Sequence, residues 1–380
     1  MIGVDLVGAR TDRFGVPALL ASLLRMLFRA LLPPLSLLAK LLRLLTPLDD
    51  ALLTPAPGAE HERQEDYRRP DCDHYPDPGC HGTSLPVRAA WKTLRVAGEE
   101  TRRAIFAQPA WLRKVPTELQ LLGGQALYTG CGTSFHAAQT GGWAEQALEL
   151  VLRPRRADVL VAVSHEGDTP LTLEAARGFD GPVWLVTGKP DSPLGQLAHM
   201  VVIATPEVER SWCHTASYTC AVAALAALRG EDISLLPGAV EEALDDRAPV
   251  SEHERFLITG AGRDWPTAQE AALKLREGAF VAAEAHQTEQ LLHGHLAAVD
   301  ESVRAFVLEG EGRAAERAAG AAAALQELGC ETTLVPTVHP AVDIVRFQLL
   351  TLDLAEARGV DPDRIRRDDP RWERARAVYD

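Results

Sequence analysis

From about residue 90 to the C-terminus, short continuous apolar runs alternate with stretches whose apolar positions recur every three or four residues. The first kind reads as buried strand and the second as amphipathic helix. The pattern predicts a leading helix over 99–119, interrupted near Pro109. Strand 126–130, helix 134–150, strand 159–164 and helix 169–177 follow. Strand 183–187, a short helix near 192–198, strand 200–204 and helix 215–228 complete this half. The sequence then begins again, with strand 255–260 ending in Gly260-Ala-Gly262, helix 266–279, strand 303–309, helix 312–328, strand 331–336 and helix 341–357. Repeated βα units of this length imply parallel sheets covered by helices on both faces. The restart implies two similar α/β domains in tandem, 91–240 and 241–380.

Residues 1–90 follow another pattern. Residues 14–48 are Leu-rich but carry Arg25, Arg29, Lys40 and Arg43, with Pro33-Pro34 in the middle. No uninterrupted apolar span reaches the ~20 residues that a membrane helix needs. A cationic amphipathic pair lying on a membrane surface is one reading of this stretch, and it is not favoured. A signal peptide fits less well, because Arg25 breaks the apolar run and no small-residue cleavage site follows. An irregular extension that need not belong to the natural protein is preferred, because residues 55–90 are rich in Pro, Gly, Asp and His without periodicity. Cys72, His74, Cys80 and His81 lie within it, but their spacing departs from paired zinc-ligand patterns, and no metal is expected.

Composition narrows the partners. The 380 residues are 46% hydrophobic and 24% charged, and the formal charge of −14 argues against a nucleic-acid partner. The scattered cysteines show no disulfide framework, which suits a cytoplasmic protein. No Gly-rich dinucleotide fingerprint occurs, so no cofactor is expected.

The candidate chemistry sits where strands hand over to helices. Leu127-Tyr-Thr-Gly-Cys-Gly-Thr-Ser134 and Val161-Ala-Val-Ser-His-Glu-Gly-Asp-Thr169 each end an apolar run in glycine and hydroxyl residues ahead of a helix. Such loops present helix N-terminal amides and favour an anion, with a sugar phosphate the leading ligand. Two of them one βα unit apart converge at the carboxyl edge of a parallel sheet. In the second half, Glu270, Lys274 and Glu277 share one helix face at i, i+4 and i+7, a spacing that also suits a solvated salt-bridge ladder.

Taken together, Cys131-Gly-Thr-Ser134, Ser164-His-Glu-Gly-Asp-Thr169, Ala268-Gln-Glu-Ala-Ala-Leu-Lys-Leu-Arg-Glu277 and His293-Gly-His295 resemble the sugar isomerase (SIS) superfamily. The pattern is similar to the tandem-SIS isomerase half of glucosamine-6-phosphate synthase and to stand-alone amino-sugar-phosphate relatives, over roughly residues 95–380. The resemblance implies two flavodoxin-like three-layer domains and a phosphorylated (amino) sugar as ligand. It places Cys131, Gly132, Thr133, Ser134, Ser164, His165, Glu166 and Thr169 around that ligand. It makes Glu277 the base that moves a proton between adjacent sugar carbons, Lys274 a stabiliser of nearby negative charge, and Glu270 an orienting or sugar-binding group. His293 becomes the ring-opening histidine, reaching the pocket of a neighbouring subunit and so implying a homodimer with a shared active site.

Three departures qualify the match. Glu166 stands where the family carries a neutral residue, and His165 would offset its charge only if protonated. His295 stands where the family carries Pro. No lysine follows Lys274, so the tail 359–370 lacks the lysine with which the synthase forms a Schiff base, although its arginines could close over an anion. The N-terminal extension does not resemble a glutaminase domain, and position 2 is Ile2 rather than cysteine. The expected activity is therefore aldose–ketose isomerisation of (amino) sugar phosphates, with deamination or deglycation as a variant. The alternative is a non-catalytic phosphosugar-sensing regulator.

Overall fold

The structure, a computed structural model, describes residues 97–121 and 123–379; the Leu-rich 14–48 and the Cys/His group of 72–81 lie outside the described residues. The described chain forms two wholly parallel sheets. The first contains β1 (Ala126–Gly130), β2 (Ala144–Gln146), β3 (Val159–Val163), β4 (Val183–Thr187) and β5 (Met200–Ile203), in the order β2-β1-β3-β4-β5. The second contains β6 (Arg255–Gly260), β7 (Ala282–Gln287), β8 (Val303–Leu308) and β9 (Glu331–Val335), in the order β7-β6-β8-β9. The strand after the founding strand goes to one edge in each sheet, and the next strand returns to the other side. The restart in the sequence is thus matched by a restart in topology.

Side-chain alternation divides each sheet into two faces. In the first sheet Leu127, Leu160, Ala162 and Leu185 pack outward against α3 (Ala147–Leu152), α4 (Pro170–Gly178) and α5 (Pro193–Leu197). The opposite face, with Tyr128, Val161, Val163 and Val186, joins a central core. That core also takes Phe256, Ile258 and Phe306 from the second sheet. Between the sheets lie α1 (Glu99–Leu112), α2 (Thr133–Thr140), α6 (Ala216–Leu228), α7 (Leu236–Ala243), α8 (Trp265–Ala279), α11 (Pro340–Asp343) and α12 (Val345–Ala357). The far face of the second sheet, with Leu257, Ala305 and Val307, is covered by α9 (Thr288–Leu292) and α10 (Arg313–Glu327). Helix α6 is buried at every position, as its nearly unbroken Ala, Val and Leu content requires. Helix α13 (Pro370–Arg376) ends the described chain.

Some expected elements change. The helix expected over 134–150 stops at Thr140, and β2 forms instead. A Cβ on Gly141 would sit 2.5 Å from the Tyr128 ring, and Gly142 has φ 131°, so the chain leaves the helix there and pairs beside β1. Helix α1 runs through Pro109 without interruption and ends at Leu112 rather than 119, because Pro116 disfavours helix at Val115. Strand β7, absent from the periodicity reading, is built from Ala282-Ala-Glu-Ala-His-Gln287, residues with little strand preference. Its pairing with β6 over six residues overrides local propensity.

Candidate functional site

The strand order of the first sheet reverses between β1 and β3, where open α/β sheets bind ligands beyond their carboxyl ends. The loop Cys131–Ser134 follows β1 into α2, and the loop Ser164–Thr169 follows β3 into α4. A Cβ on Gly130 would fall 2.7 Å from the Ser134 carbonyl carbon, so only glycine lets α2 start this close to its strand. Gly167 has φ 69°, and its amide donates to Ser164 Oγ at 3.2 Å, while the Ser164 and Thr169 hydroxyls lie 3.3 Å apart. These contacts curl the second loop around the mouth of a cleft of about 770 Å³. Cys131, Gly132, Thr133, Ser134, Ser164, His165, Glu166 and Thr169 all line it, as does Glu277.

Helix α8 crosses beneath the first loop. Lys274 is wholly buried; its Nζ lies 2.6 Å from Glu277 and 3.5 Å from Glu270. Burial works to lower its pKa, but the two carboxylates outweigh that effect and hold it above the ordinary lysine value, so the ammonium stays charged. Glu270 is also wholly buried; it accepts from Thr133 Oγ1 at 3.1 Å and meets His136 Nδ1 at 2.7 Å. It ties α8 to the start of α2 and does not line the cleft. Glu277 is the member of the triad that does, with its carboxylate fixed from behind by Lys274.

His165 does not supply a cation. Its Nε2 accepts the backbone N–H of Glu209 at 2.9 Å, and burial together with the nearby His214 lowers its pKa to about 4. The Glu209 carboxylate, itself buried, accepts from the Thr215 amide, the Thr215 hydroxyl and the Ser217 amide at 2.8, 2.8 and 2.9 Å. Burial favours its neutral form, but His214 and these donors outweigh burial and hold its pKa below the usual carboxylate range. Glu209, Trp212 and His214 were not marked by the sequence. They lie between β5 and α6 in a stretch that carries no motif and reads as a polar loop. Their spatial convergence is visible only in the fold.

The C-terminal segment closes another wall. Ile365, Arg367 and Tyr379 line the cleft, and the Arg367 guanidinium lies 3.6 Å from the centre of the Trp212 ring. The Trp212 amide donates to the Asp363 carbonyl at 3.0 Å. Ile365 and Arg366 adopt φ 40° and 60°, and the Arg366 guanidinium lies 4.3 Å from the ring centres of both Phe280 and Trp372. Of the arginines in this tail, Arg367 lines the cleft. His293 lies elsewhere: its side chain is 73% exposed, pairs with Glu289 at 3.0 Å and does not line this cleft. His295 stacks on His286 with ring centres 4.0 Å apart.

The SIS domain family matches residues 250–361. The isomerizing glutamine–fructose-6-phosphate aminotransferase of Rhizobium leguminosarum bv. viciae is 25% identical over 319 residues, covering 66% of this chain and 52% of that protein. The chain thus spans about half the length of the curated relatives it matches. The fold is similar to the C-terminal domain of glucosamine-fructose-6-phosphate aminotransferase from Francisella tularensis, with TM-score 0.58, 20% identity and coverage of 70% and 97%. It is similar in the same way to glucosamine-6-phosphate deaminase from Thermotoga maritima, with TM-score 0.60, 21% identity and coverage of 70% and 97%. Among the described residues no helix is long and apolar enough to cross a membrane.

Proposed function

From an SIS domain at residues 250–361, homologous to the isomerase half of the fructose-6-phosphate aminotransferases, we propose an aldose–ketose isomerase of (amino) sugar phosphates. The observation that carries this reading is the position of Glu277: one carboxylate, held 2.6 Å from a buried ammonium, opens on the cleft that the two hydroxyl-rich loops share. The loops bind the phosphate through Ser134, Thr169 and the first-turn amides of α2 and α4, with Arg367 adding positive charge. Thr133 and Ser164 act mainly to shape these loops, since their hydroxyls are engaged by Glu270 and by Gly167 and Thr169. Glu277 takes the proton from one carbon of the open-chain sugar and returns it to the neighbouring carbon. Lys274 keeps Glu277 in place and offsets the charge of the enediolate.

Glu166 and Asp168 add negative charge to the same cleft. That charge favours a substrate carrying an ammonium beside its phosphate, and therefore an amino sugar with loss of ammonia as part of the reaction. The repeated sheet order supports two SIS-type domains, 91–240 and 241–380. The exposed position of His293 suits a homodimer in which it enters the partner's cleft. The four unpaired thiols among the described residues suit the cytoplasm.

The test is a thermal-shift panel of hexose and hexosamine 6-phosphates on the purified chain, followed by turnover and ammonia assays on every hit. Stabilisation with turnover that Glu277→Gln abolishes establishes the isomerase, and released ammonia identifies the amino-sugar form. Stabilisation without turnover replaces it with a phosphosugar sensor. No stabilisation by any phosphosugar overturns the ligand class.

A further inference from the structure

We infer that His214 is the acid that opens the sugar ring, acting in the same chain as Glu277; this rests on the isomerase reading above. Of the nine histidines among the described residues, only His165 and His214 line the cleft. His165 spends Nε2 on the Glu209 amide, and its ring is packed where a Cβ on Gly188 would come within 2.6 Å. His136 is committed to Glu270, and His293 does not line the cleft of its own chain. His214 stands in the wall between the cleft and a water-sized recess behind Thr133 and Ser134. The recess has one buried hydroxyl without a hydrogen-bond partner among the described residues, that of Thr205.

The backbone around His214 is fixed on three sides. Thr215 and Ser217 hang on the Glu209 carboxylate. Cys213 Sγ lies 3.3 Å from where a Cβ on Gly278 would be, so the loop is pressed against α8 one residue beyond Glu277. Trp212 is bonded to Asp363 and covered by Arg367. The imidazole at 214 and the carboxylate at 277 therefore face one cleft from two elements that touch. The ring stands edge-on to His165, with centres 5.2 Å apart. The titratable and charged groups around it are His165, Glu166 and Asp168 from the β3 loop, Glu209 on its own loop, Glu277 and the buried Lys274 from α8, and Arg367 from the tail.

In the step itself, the imidazolium gives its proton to the ring oxygen as the bond from the anomeric carbon to that oxygen breaks. The electron pair of that bond stays on the ring oxygen. The anomeric hydroxyl loses its proton to water and becomes the carbonyl, and the imidazole regains a proton from water. Glu277 then acts on the open chain.

Ring opening is measured apart from isomerisation as the exchange between α and β anomers of the hexose 6-phosphate hit, followed by NMR on the Glu277→Gln enzyme, which opens the ring but cannot isomerise. Adding His214→Gln is expected to slow the enzyme-dependent exchange by about 100-fold or more while phosphosugar stabilisation is kept, with partial rescue by added imidazole. Adding His293→Gln is expected to change it less than about twofold. Should His214→Gln leave exchange intact while His293→Gln abolishes it, the acid comes from the partner and the inference is overturned. The same holds if His214→Asn and His214→Gln both fold, bind and exchange at the parent rate. A wild-type chain that binds phosphosugar without turnover or anomer exchange overturns the isomerase reading, and this inference falls with it. A wild-type that isomerises while His214→Gln is fully active sinks this inference alone.

Discussion

Lys274 holds its ammonium 2.6 Å from the Glu277 carboxylate with no exposure of its own, so a cleft-facing acid is anchored by a cation that solvent never reaches. Removing one member of a buried ion group leaves the others uncompensated, which costs more than the group contributes when intact. Lys274→Met is therefore expected to destabilise the fold by about 3–5 kcal/mol, measured by urea denaturation, because Glu270 keeps its charge in the interior. Adding Glu270→Gln should return part of that loss. Because the lysine is held charged above its ordinary value, its contribution is complete at neutral pH and fades only in strongly alkaline solution. A Lys274→Met protein as stable as wild type would mean that the buried ion group contributes no more than an apolar side chain in its place.

Gly167 occupies the left-handed region, and a Cβ there would meet Ser192 Oγ at 1.9 Å. Ser192 cannot simply turn away, because its hydroxyl accepts the Gly195 amide at the start of α5. Gly167→Ala is expected to cost about 2 kcal/mol and to weaken stabilisation by phosphosugars, since the Ser164–Thr169 loop must reshape. Adding Ser192→Gly should remove the clash but leave the backbone strain. Calorimetry of the two variants separates these contributions; equal melting temperatures for both would show that the clash carries none of the cost.

How far the sequence could be read follows from the range of each interaction. Strands such as Val159–Val163 were legible because a fully buried strand is apolar at consecutive positions. The loops at Cys131–Ser134 and Ser164–Thr169 were legible because glycine and hydroxyl residues between strand and helix have few other uses. Strand β7 was not, since Ala282–Gln287 consists of residues that favour a helix until β6 lies beside them. The spacing of Glu270, Lys274 and Glu277 indicated a shared face but could not distinguish a surface ladder from a buried one. The packing of α8 against α2 and α12 decides that. Glu209 and His214 carried no local signal at all. Their roles come from a carboxylate folding back on its own loop and from a histidine 63 residues from the glutamate it faces across the cleft (277 − 214).

Asp363 shows the same limit at longer range and gives a third prediction. It lies in a charged tail without a local structural signal, yet its carboxylate accepts from the Glu100 amide, the Thr101 amide and the Thr101 hydroxyl at 3.0, 2.7 and 2.6 Å. It thereby caps the N-terminus of α1, whose own N-cap, Gly98, offers no side chain. Asp363→Ala is expected to lose about 1–2 kcal/mol of stability. It should also loosen the segment that carries Ile365 and Arg367, which limited proteolysis would report as cleavage near the tail. An unchanged digestion pattern would place the anchoring of this segment in the Arg366 contacts with Phe280 and Trp372 instead.

The last prediction concerns pH and a carboxyl group away from the cleft. Asp343 ends α11, accepts the Val338 amide at 2.9 Å and is pushed up to about 7, first by burial and also by the nearby Asp264, against the pull of backbone amides and Arg263. In the unfolded chain the same group ionises near its ordinary value of 3.8. Between those values the folded state holds more protons than the unfolded state, so stability falls as pH rises through this window and levels off above it. His165 and Glu209 act in the opposite sense: their pKa values are depressed on folding, so their contribution is lost as the solution becomes acid. A plain pH–stability curve mixes the two trends, and only a difference isolates Asp343. Asp343→Asn keeps an acceptor for Val338 and resembles the protonated acid at every pH. It should match wild type near pH 4 and exceed it at pH 8 by on the order of 2–4 kcal/mol, because each tenfold change in an ionisation equilibrium corresponds to about 1.4 kcal/mol. Denaturant titrations of both proteins at pH 4.5, 6 and 8 measure the difference directly. A constant offset across the three would mean that Asp343 ionises normally in the fold, with water reaching its second oxygen.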